Sequence, residues 1–551
     1  MHRTGFLVWV QIIIIGTLVV YTAGIFITLM EPDAVVYADI SMEMVLNNNY
    51  FDITLKGNDW LDKPHFQFWI TALFYKIFGI NTTAYKLPAI LFSLMGAFYV
   101  FLFGKRFYSV RLGTIAMLFF LTAEHIIISN NDVRAEPYLT GLTIFSMYYF
   151  ALYLEDKKFL NAFLGAFGLA CLLMTKGMFT ILPVASGIGL TLLYRQKWKE
   201  ILHGQWLMVI VLTLVLISPM LMAYYLQFDL HPEKEFFGRT GVSGIKFFLW
   251  DSQWGRFTNS GPIKGEGDVF FFLHTMLWAF APWALLAYSG LFIKIRDLFR
   301  RQAKNETYTI FGFLFTFLIF SVSRFQLPHY INQLFPFLAI ITADVLLSRS
   351  RNINFLRVHY VLMVIISLLF IALVVTLHLY FFKDVPRLDV ALVFIAGLAA
   401  SLYFIVSNKT LIKRIIVLPA LIILSVNYYL NRQFYPELLQ YQSTSEAVFY
   451  MLKNKLPVDA LTVFEKDQWI INFYLMKTVP EISEADLSGI NLAGKLVFTD
   501  EKGLSVLEKY GYLPEPIKEF EDFHVTEVRP PFLNKSTRKS TLKKTYLVYI
   551  Q

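Results

Sequence analysis

The segment VHYVLMVIISLLFIALVVTLHLYFF, residues 358–382, contains no Asp, Glu, Lys or Arg. As a helix, an apolar run of about 20 residues crosses the hydrocarbon core of a bilayer, which is roughly 30 Å thick. Similar runs recur between residues 5 and 430. Of the 551 residues, 56% are hydrophobic and 16% are charged, whereas charged residues make up about a quarter of soluble proteins. The sequence therefore predicts a polytopic integral membrane protein.

Hydropathy predicts about 13 transmembrane helices, the first of them a retained span rather than a signal peptide. The segment 66–79 either joins the span that follows it or forms a re-entrant or interfacial helix. The spans are expected near residues 5–30, 66–79 with 84–104, 112–129, 137–154, 159–175, 178–194, 205–227, 268–293, 308–322, 328–347, 358–382, 388–407 and 411–430.

Lys and Arg collect in alternate loops, which orients the chain because short cytoplasmic loops are enriched in cations. The cation-rich loops lie near residues 105–111, 157–158, 195–199, 294–304, 349–357 and 409–414. The net charge of +9 arises mostly in these loops, so nucleic acid is not expected as a partner. The opposite, outward short loops carry only Arg134, Lys176, Arg324, Lys383 and Arg387.

The chain changes character after residue 430. Residues 431–551 contain charged residues and Pro at frequencies typical of soluble proteins. Within them, β-like runs at 460–464, 495–499 and 545–550 alternate with helix-like runs at 443–454 and 501–510. The predicted fold is therefore an all-α membrane domain, residues 1–430 with long outward loops at 31–65 and 228–267. A small C-terminal α/β domain, residues 431–551, follows on the outer face.

The first outward loop carries two groups with chemical potential. Glu31 and Asp33 stand where the first span ends and are suited to cap a following helix. Asp33, held at that helix start, would at the same time be placed to accept a proton from a hydroxyl acceptor. Lys63 is suited to bind a phosphate oxygen. Asp62 and His65, at i and i+3, would bind a divalent metal from one helical face, and an interfacial belt of Trp and Lys is the alternative.

Other outward loops carry isolated charges near the hydrocarbon, where charge is costly and usually paired or functional. Asp132, Arg134 and Glu136 either pair with one another or act at a site. The lone cations Lys176 and Arg324 either snorkel or bind an anion such as a lipid phosphate.

The fourth outward loop contains Trp250-Asp251-Ser252-Gln253-Trp254-Gly255-Arg256. Trp beside Asp and Gln is typical of a sugar-binding surface, and an amphipathic helix on the membrane is the alternative. Nothing in the sequence indicates ATP, NAD or a serine nucleophile. The one cysteine, Cys171, excludes an internal disulfide and a Cys-based metal site.

Taken in order, these segments resemble the GT-C-type polyprenyl-phosphate-sugar glycosyltransferases. The likeness is greatest to the bacterial branch containing the lipid A aminoarabinose transferase, which is related to the protein O-mannosyltransferases. Five family motifs have counterparts between about residues 25 and 345. The counterparts are Asp33, Tyr37, Ala38 and Asp39 for Asp-x-x-x-Tyr-Ala-Glu, Asp62–His65 for acid-Lys-Pro-Pro, Glu136 for a helix-start acid, Thr175–Gly177 for Thr-Lys-Gly, and Ser323–Tyr330 for Ser-x-x-x-Leu-Pro-x-Tyr.

The resemblance implies an inverting transferase of the bacterial inner membrane whose active site faces the periplasm. A polyprenyl-phosphate sugar would donate its sugar to a lipid A-type glycolipid, another glycan or a protein. Asp33 would activate the acceptor, and Glu136 would assist it or help to hold the first loop. The donor phosphate would contact Lys63, together with Lys176 and Arg324. Further substrate contacts are expected from Tyr37, Tyr330, Trp254 and Arg256.

The sequence departs from the family at two places. The family's Asp-Glu-Pro-Arg run reads Asp33-Ala34-Val35-Val36 here, so its arginine is missing. In the aminoarabinose branch a divalent metal is held by the acid before the Lys-Pro pair and by a His of the fourth outward loop. The candidates here are Asp62 and the more distant His274. The alternative classes are a secondary transporter or lipid flippase and a structural or sensory membrane protein.

Overall fold

The computed structural model describes residues 2–260, 264–303, 305–382, 384–467 and 469–551, so Lys304 and Lys383 lie outside the described residues. In the described part, eight helices are long and apolar enough to cross a membrane, and a pair bent by 51° would make a ninth. The multi-pass prediction is confirmed, while the count of 13 spans stays a prediction. The eight are Gly5–Ile25, Thr82–Phe107, Phe159–Lys176, Trp198–Asp229, Pro328–Ser348, Ile353–Phe381, Leu388–Ser407 and Leu411–Tyr441, and the bent pair is Val110–Leu121 with Glu124–Asn131.

Further helices complete the membrane part, among them Glu136–Asp156 with 21 residues. Phe66–Phe78 is separate from Thr82–Phe107, and at 13 residues it is only about 20 Å long. It therefore fits the re-entrant or interfacial interpretation of this segment. The other helices are Asp33–Leu46, Glu136–Asp156, Leu182–Tyr194, Gly244–Lys246, Ser252–Thr258, Phe271–Ala279, Ala284–Phe299 and Tyr308–Val322.

The helix Glu136–Asp156 packs against both Thr82–Phe107 and Phe159–Lys176. Gly141 permits the first of these contacts, since a Cβ atom there would lie 2.3 Å from the Phe92 carbonyl oxygen. Small residues allow such close approach of helices in membranes. This packing fixes the position of the first residues of the helix. Arg134 and Glu136 are therefore held close to the other loops on the same side.

The first outward loop folds as a helix, Asp33–Leu46, followed by a hairpin of Thr54–Leu55 and Asn58–Asp59. The helix is buried from Ala34 to Met44 and packs on Phe66–Phe78 and on Trp469–Leu475. No side chain caps it, so the capping expected of Glu31 and Asp33 is wrong. Asp33 lies instead in the first helical turn, where the helix dipole favours a negative charge.

The C-terminal region contains a five-stranded sheet. Three of its strands and two of its helices, Ser443–Lys453 and Glu501–Lys509, lie where the sequence predicted them. In spatial order the strands are Glu481–Ile482, Leu461–Phe464, Leu496–Asp500, Lys543–Ile550 and Pro514–Asp522. The first three run parallel, and the last two join antiparallel.

Two features of this region were not predicted. The strand Pro514–Asp522 contains two prolines, which sequence reasoning counts against a strand, but it lies at the sheet edge, where proline is tolerated. The helical path that begins at Leu411 continues through the turn Leu430–Phe434 to Tyr441. The expected boundary at residue 430 therefore falls inside this path.

Candidate active site

Five of the loops that were predicted to face outward meet at a cavity of about 190 Å³. Most of the predicted site residues line it, although the sequence placed them in separate loops. The predicted residues among its lining are Asp33, Tyr37, Asp62, Lys63, Glu136, Lys176, Arg256 and Tyr330, and Arg134 and His329 lie beside them.

Asp33 faces the cavity from the first turn of its helix. Arg134 Nη1 donates to Asp33 Oδ2 over 2.8 Å, and the same guanidinium contacts Asp132 at 3.0 Å. The Asp33 side chain remains 44% exposed. The expected pairing of Arg134 with Asp132 is thus confirmed, and Arg134 also fixes the carboxylate of Asp33.

Asp62 lies between two cations. Lys63 Nζ donates to Asp62 Oδ2 over 2.6 Å, and Arg256 of the fourth loop donates to Asp62 Oδ1. Burial opposes ionisation of Asp62, but these two cations outweigh it and hold the pKa of Asp62 below its usual value. Burial lowers the pKa of Lys63 to about 8, so its ammonium group loses its charge at a lower pH than that of an exposed lysine.

Glu136 and Lys176 form a second ion pair at the cavity. Lys176 donates to Glu136 Oε1, and its Nζ also lies 4.0 Å from the centroid of the Tyr330 ring. His329 Nε2 is 3.7 Å from the same carboxylate. Glu136 is only 1% exposed, so this carboxylate holds Lys176 in place rather than facing open solvent.

Gly177 explains how the third loop presents Lys176. The helix Phe159–Lys176 ends at Gly177, whose φ is +94°, in a region that other residues rarely adopt. A Cβ atom at Gly177 would lie 2.6 Å from Gln253 Nε2. The same Gln253 amide donates to the Lys176 carbonyl over 3.2 Å, so the glycine lets the fourth loop pack directly on this turn.

A second cavity of about 90 Å³ shares its polar wall with the first. Glu136, Lys176, Arg256 and Tyr330 line both. Its remaining wall is largely apolar and reaches the helix Tyr308–Val322. That wall includes Leu139, Phe179, Phe257, Ile319 and Phe320, and Phe325 lines both cavities. An anionic group joined to an apolar chain would find suitable surfaces in the two cavities.

Three predicted residues do not line these cavities. Arg324 and His274 are exposed, and Ser323 and Phe325 reach the second cavity from either side of Arg324. Trp254 is 45% exposed. Its ring stacks on Phe257 with centroids 5.4 Å apart, which places it on an outer aromatic surface.

The structure does not assemble the divalent metal site that the sequence left open. Across the described ranges, no group of three or more His, Cys, Asp or Glu side chains is arranged to hold a metal. Asp62 is neutralised by Lys63 and Arg256, and His274 lies exposed on the helix Phe271–Ala279. His65 is not on a helical face with Asp62, and its Nε2 lies 2.8 Å from the Phe51 carbonyl. These residues do not fit a metal centre.

Sequence reasoning gave too little weight to Arg134, His329 and Gln253. The arginine of the family's Asp-Glu-Pro-Arg run is missing after Asp33. Arg134, which comes from a different loop, places a guanidinium next to Asp33 instead. No spacing rule connects positions about a hundred residues apart. The occurrence of Gln253 beside the predicted Trp254 and Arg256 was the available signal for the fourth loop.

Comparison with known proteins places this geometry in context. The family model for dolichyl-phosphate-mannose-protein mannosyltransferase matches residues 62–223. Undecaprenyl phosphate-alpha-4-amino-4-deoxy-L-arabinose arabinosyl transferase 1 of Pseudomonas fluorescens is 26% identical over 365 residues, 64% of this chain and 60% of that protein. The chain therefore spans less than two thirds of the length of that relative.

The likeness in fold extends further than the likeness in sequence. The crystal structure of ArnT from Cupriavidus metallidurans bound to undecaprenyl phosphate superposes with a TM-score of 0.74 at 18% identity, covering 99% of this chain and 98% of that one. The oligosaccharyltransferase of Archaeoglobus fulgidus gives a TM-score of 0.51 at 11% identity, covering 92% and 73%. The resemblance read from the motifs is thus confirmed: the chain is similar in sequence to the aminoarabinosyl transferases and shares the fold of ArnT.

Proposed function

We propose that the chain is an inverting glycosyltransferase that moves a sugar from a polyprenyl-phosphate donor to an acceptor. One observation carries this proposal: the carboxylate of Asp33 and a group of cations face the same cavity from different loops. A transfer of this kind needs a group that binds the acceptor hydroxyl and positive charge that stabilises the departing phosphate. The relatives named above are transferases, so the transporter or flippase alternative is not favoured.

The donor phosphate is assigned to the cation side of the cavity. Four cations, Lys63, Arg134, Lys176 and Arg256, line the cavity together, so an anion that enters it meets several positively charged groups. Arginine and lysine bind phosphate oxygens through charge-assisted hydrogen bonds. The apolar second cavity, which begins at the same cations, takes the first part of the prenyl chain. ArnT from Cupriavidus metallidurans is known with undecaprenyl phosphate bound, which supports this class of donor.

The reaction then requires a displacement at the anomeric carbon. The acceptor hydroxyl oxygen bonds to C1 of the sugar on the face opposite the phosphate, and the bond from C1 to the phosphate oxygen breaks. The bonding electrons leave with the polyprenyl phosphate, and the hydroxyl proton passes to the Asp33 carboxylate. Lys63 and Arg256 stabilise the charge on the departing phosphate, and alignment of the two reactants supplies much of the remaining rate.

Glu136 has a positioning role in this scheme. Its carboxylate is buried and bound to Lys176, so it holds that ammonium group at the boundary between the two cavities. Arg134 acts similarly on Asp33. Both residues connect the second outward loop to groups that would contact substrate.

The family likeness supports finer assignments. We propose that the enzyme lies in a bacterial inner membrane, with the cavity facing the periplasm. The acceptor is a lipid A-type glycolipid, another glycan or a protein, and the aminoarabinosyl name of the matched relative favours the first of these. Residues 431–551 would form a soluble domain on the same face.

The test is sugar transfer by purified protein from a panel of radiolabelled undecaprenyl-phosphate sugars to total membrane acceptors. Label should enter a lipid, glycan or protein fraction with wild type, and Asp33→Asn should abolish the transfer. The fraction that gains label names the acceptor class. If folded wild-type protein transfers no sugar from any donor, the proposal is wrong, and flux measurements for a transporter become the next step.

A further inference from the structure

The hairpin of the first loop has an unusual residue at its tip. Thr54–Leu55 pairs with Asn58–Asp59, and the two residues between the strands, Lys56 and Gly57, have φ values of +56° and +74°. Such two-residue turns favour Asn-Gly or Asp-Gly, because both positions need a positive φ. Lysine is not a residue that favours this backbone conformation. The contacts of its side chain are therefore the feature of interest at this position.

The Lys56 side chain reaches the C-terminal region. Its Nζ donates to Glu481 Oε2 over 2.7 Å and lies 5.3 Å from the centroid of the Trp469 ring. Asp467 is a further 4.0 Å partner. The Lys56 side chain is 19% exposed, so this contact is partly shielded from solvent. We name the contact of Lys56 with Glu481 and Trp469 the Lys56 clasp.

The same hairpin is also attached to the two parts of the first loop that carry candidate site residues, the helix that begins at Asp33 and the segment that contains Asp62 and Lys63. Thr54 Oγ1 donates to Glu43 Oε2 over 2.6 Å, and Glu43 belongs to the helix that begins at Asp33. At the other end, Asp59 accepts from Lys234 at 2.6 Å and from Gln227 at 2.9 Å. Asp62 and Lys63 follow three and four residues later.

We infer that Lys56 is a positioning residue, through which the C-terminal sheet sets the relative places of Asp33 and the Asp62-Lys63 pair. The inference rests on the proposed function for its catalytic part. Lys56 does not contact the cavity; it anchors the tip of the hairpin, and the hairpin holds the Asp33 helix by Glu43 and the Asp62 segment by continuity of the chain. A hairpin released at its tip would let these two groups move independently.

The test uses full-length protein and a charge swap. Lys56→Glu should lower turnover at saturating donor roughly fivefold, the size expected for a partly exposed ion pair, and should raise amide hydrogen exchange over residues 54–63. The swap Lys56→Glu with Glu481→Lys should recover most of both effects. Lys56→Asn suits the turn but loses the pair, so it should resemble Lys56→Glu in direction.

A matched control is Lys509→Glu, since Lys509 pairs with Glu484 within the C-terminal region at 3.1 Å. It should change neither turnover nor exchange at residues 54–63. The inference would be overturned if Lys56→Glu and Lys56→Asn showed the same amide hydrogen exchange over residues 54–63 as wild type. It would also be overturned if the charge-swap variant recovered neither turnover nor exchange relative to Lys56→Glu alone. If wild type shows no transfer from any donor, the proposed function fails, and the exchange measurements still decide whether the clasp orders the loop.

Discussion

Arg134 Nη1 lies 2.8 Å from Asp33 Oδ2, which joins the second outward loop to the start of the first-loop helix. The carboxylate is therefore held in one orientation while much of it remains exposed to the cavity. This relationship makes Asp33 the residue to test first.

Asp33→Asn should reduce transfer by at least about a hundredfold, since general-base contributions are typically of that size or larger. Binding of undecaprenyl phosphate should be unchanged, because the cations remain. Asp52→Asn is the matched control, because Asp52 belongs to the same loop and accepts from Asn49 at 2.8 Å. Initial rates and a binding titration measure the two effects, and undiminished transfer by Asp33→Asn would remove it from the mechanism.

Donor binding should depend on pH through Lys63. Burial lowers the pKa of Lys63 to about 8, so the ammonium is present below that pH and is lost as the pH rises through it. Affinity for undecaprenyl phosphate should therefore fall above about pH 8, and the bound phosphate will move this fall upward. Lys63→Arg should flatten the profile, since a guanidinium stays charged, and Lys63→Ala should bind weakly at every pH. An identical profile for Lys63→Arg and wild type would contradict the assignment.

The Glu136–Lys176 pair should show strong coupling. Lys176→Met leaves the Glu136 carboxylate buried without its cation, which typically costs about 3–5 kcal/mol of stability. Lys176→Met with Glu136→Gln should regain much of that loss, as measured by thermal unfolding in detergent, yet should still bind the donor weakly. Full recovery of donor affinity in the double variant would exclude a role for Lys176 in binding phosphate.

Gly177→Ala should disturb the site through the backbone. The added Cβ would meet Gln253 at 2.6 Å, and the φ of +94° strains any other residue. Transfer should fall severalfold because Lys176 and the fourth loop separate. Gly189→Ala is the control, since nothing lies within 4 Å of a Cβ there, and it should act like wild type in the same rate measurement.

The two arginines that the sequence assigned to substrate should differ. Arg256→Ala removes a cavity-facing partner of Asp62 and should weaken donor binding at least about tenfold, which is typical for truncating one member of a buried charge pair. Arg324 is exposed, so Arg324→Ala should stay within about twofold, as expected for a solvated surface charge. Comparable losses in both variants would place Arg324 in contact with the donor.

The sequence predicted the fold where one physical rule dominates. Apolar length predicted the long spans, and short β-like runs between helix-like runs predicted the strands Leu461–Phe464, Leu496–Asp500 and Lys543–Ile550. The loop residues of the cavity were recognised as well, because charge beside hydrocarbon is costly and seldom accidental. The edge strand Pro514–Asp522 and the hairpin at Lys56-Gly57 were missed, because each lacks the residues that usually mark it.

The partners that come from different loops could not be predicted. Asp62 meets Arg256 across 194 positions of sequence, and Asp33 meets Arg134 across 101. Such pairs depend on which loops the packed helices bring together. Hydropathy predicts where the spans are, but it does not predict which spans pack against one another. The exposure of Arg324 and His274 could not be predicted either. A residue type indicates which chemistry is available, but it does not indicate the direction in which the side chain points.

The order of the ion pairs along the chain has a consequence for biosynthesis. In each of these three cavity pairs that join two loops, the carboxylate comes first: Asp33 before Arg134, Glu136 before Lys176 and Asp62 before Arg256. A ribosome that builds the chain from its N-terminus therefore delivers each acid before its partner exists. A nascent chain that stops at residue 255 lacks the guanidinium that Asp62 needs. The second cation of Asp62 arrives only with the fourth loop, so a chain truncated before Arg256 leaves this carboxylate paired with Lys63 alone.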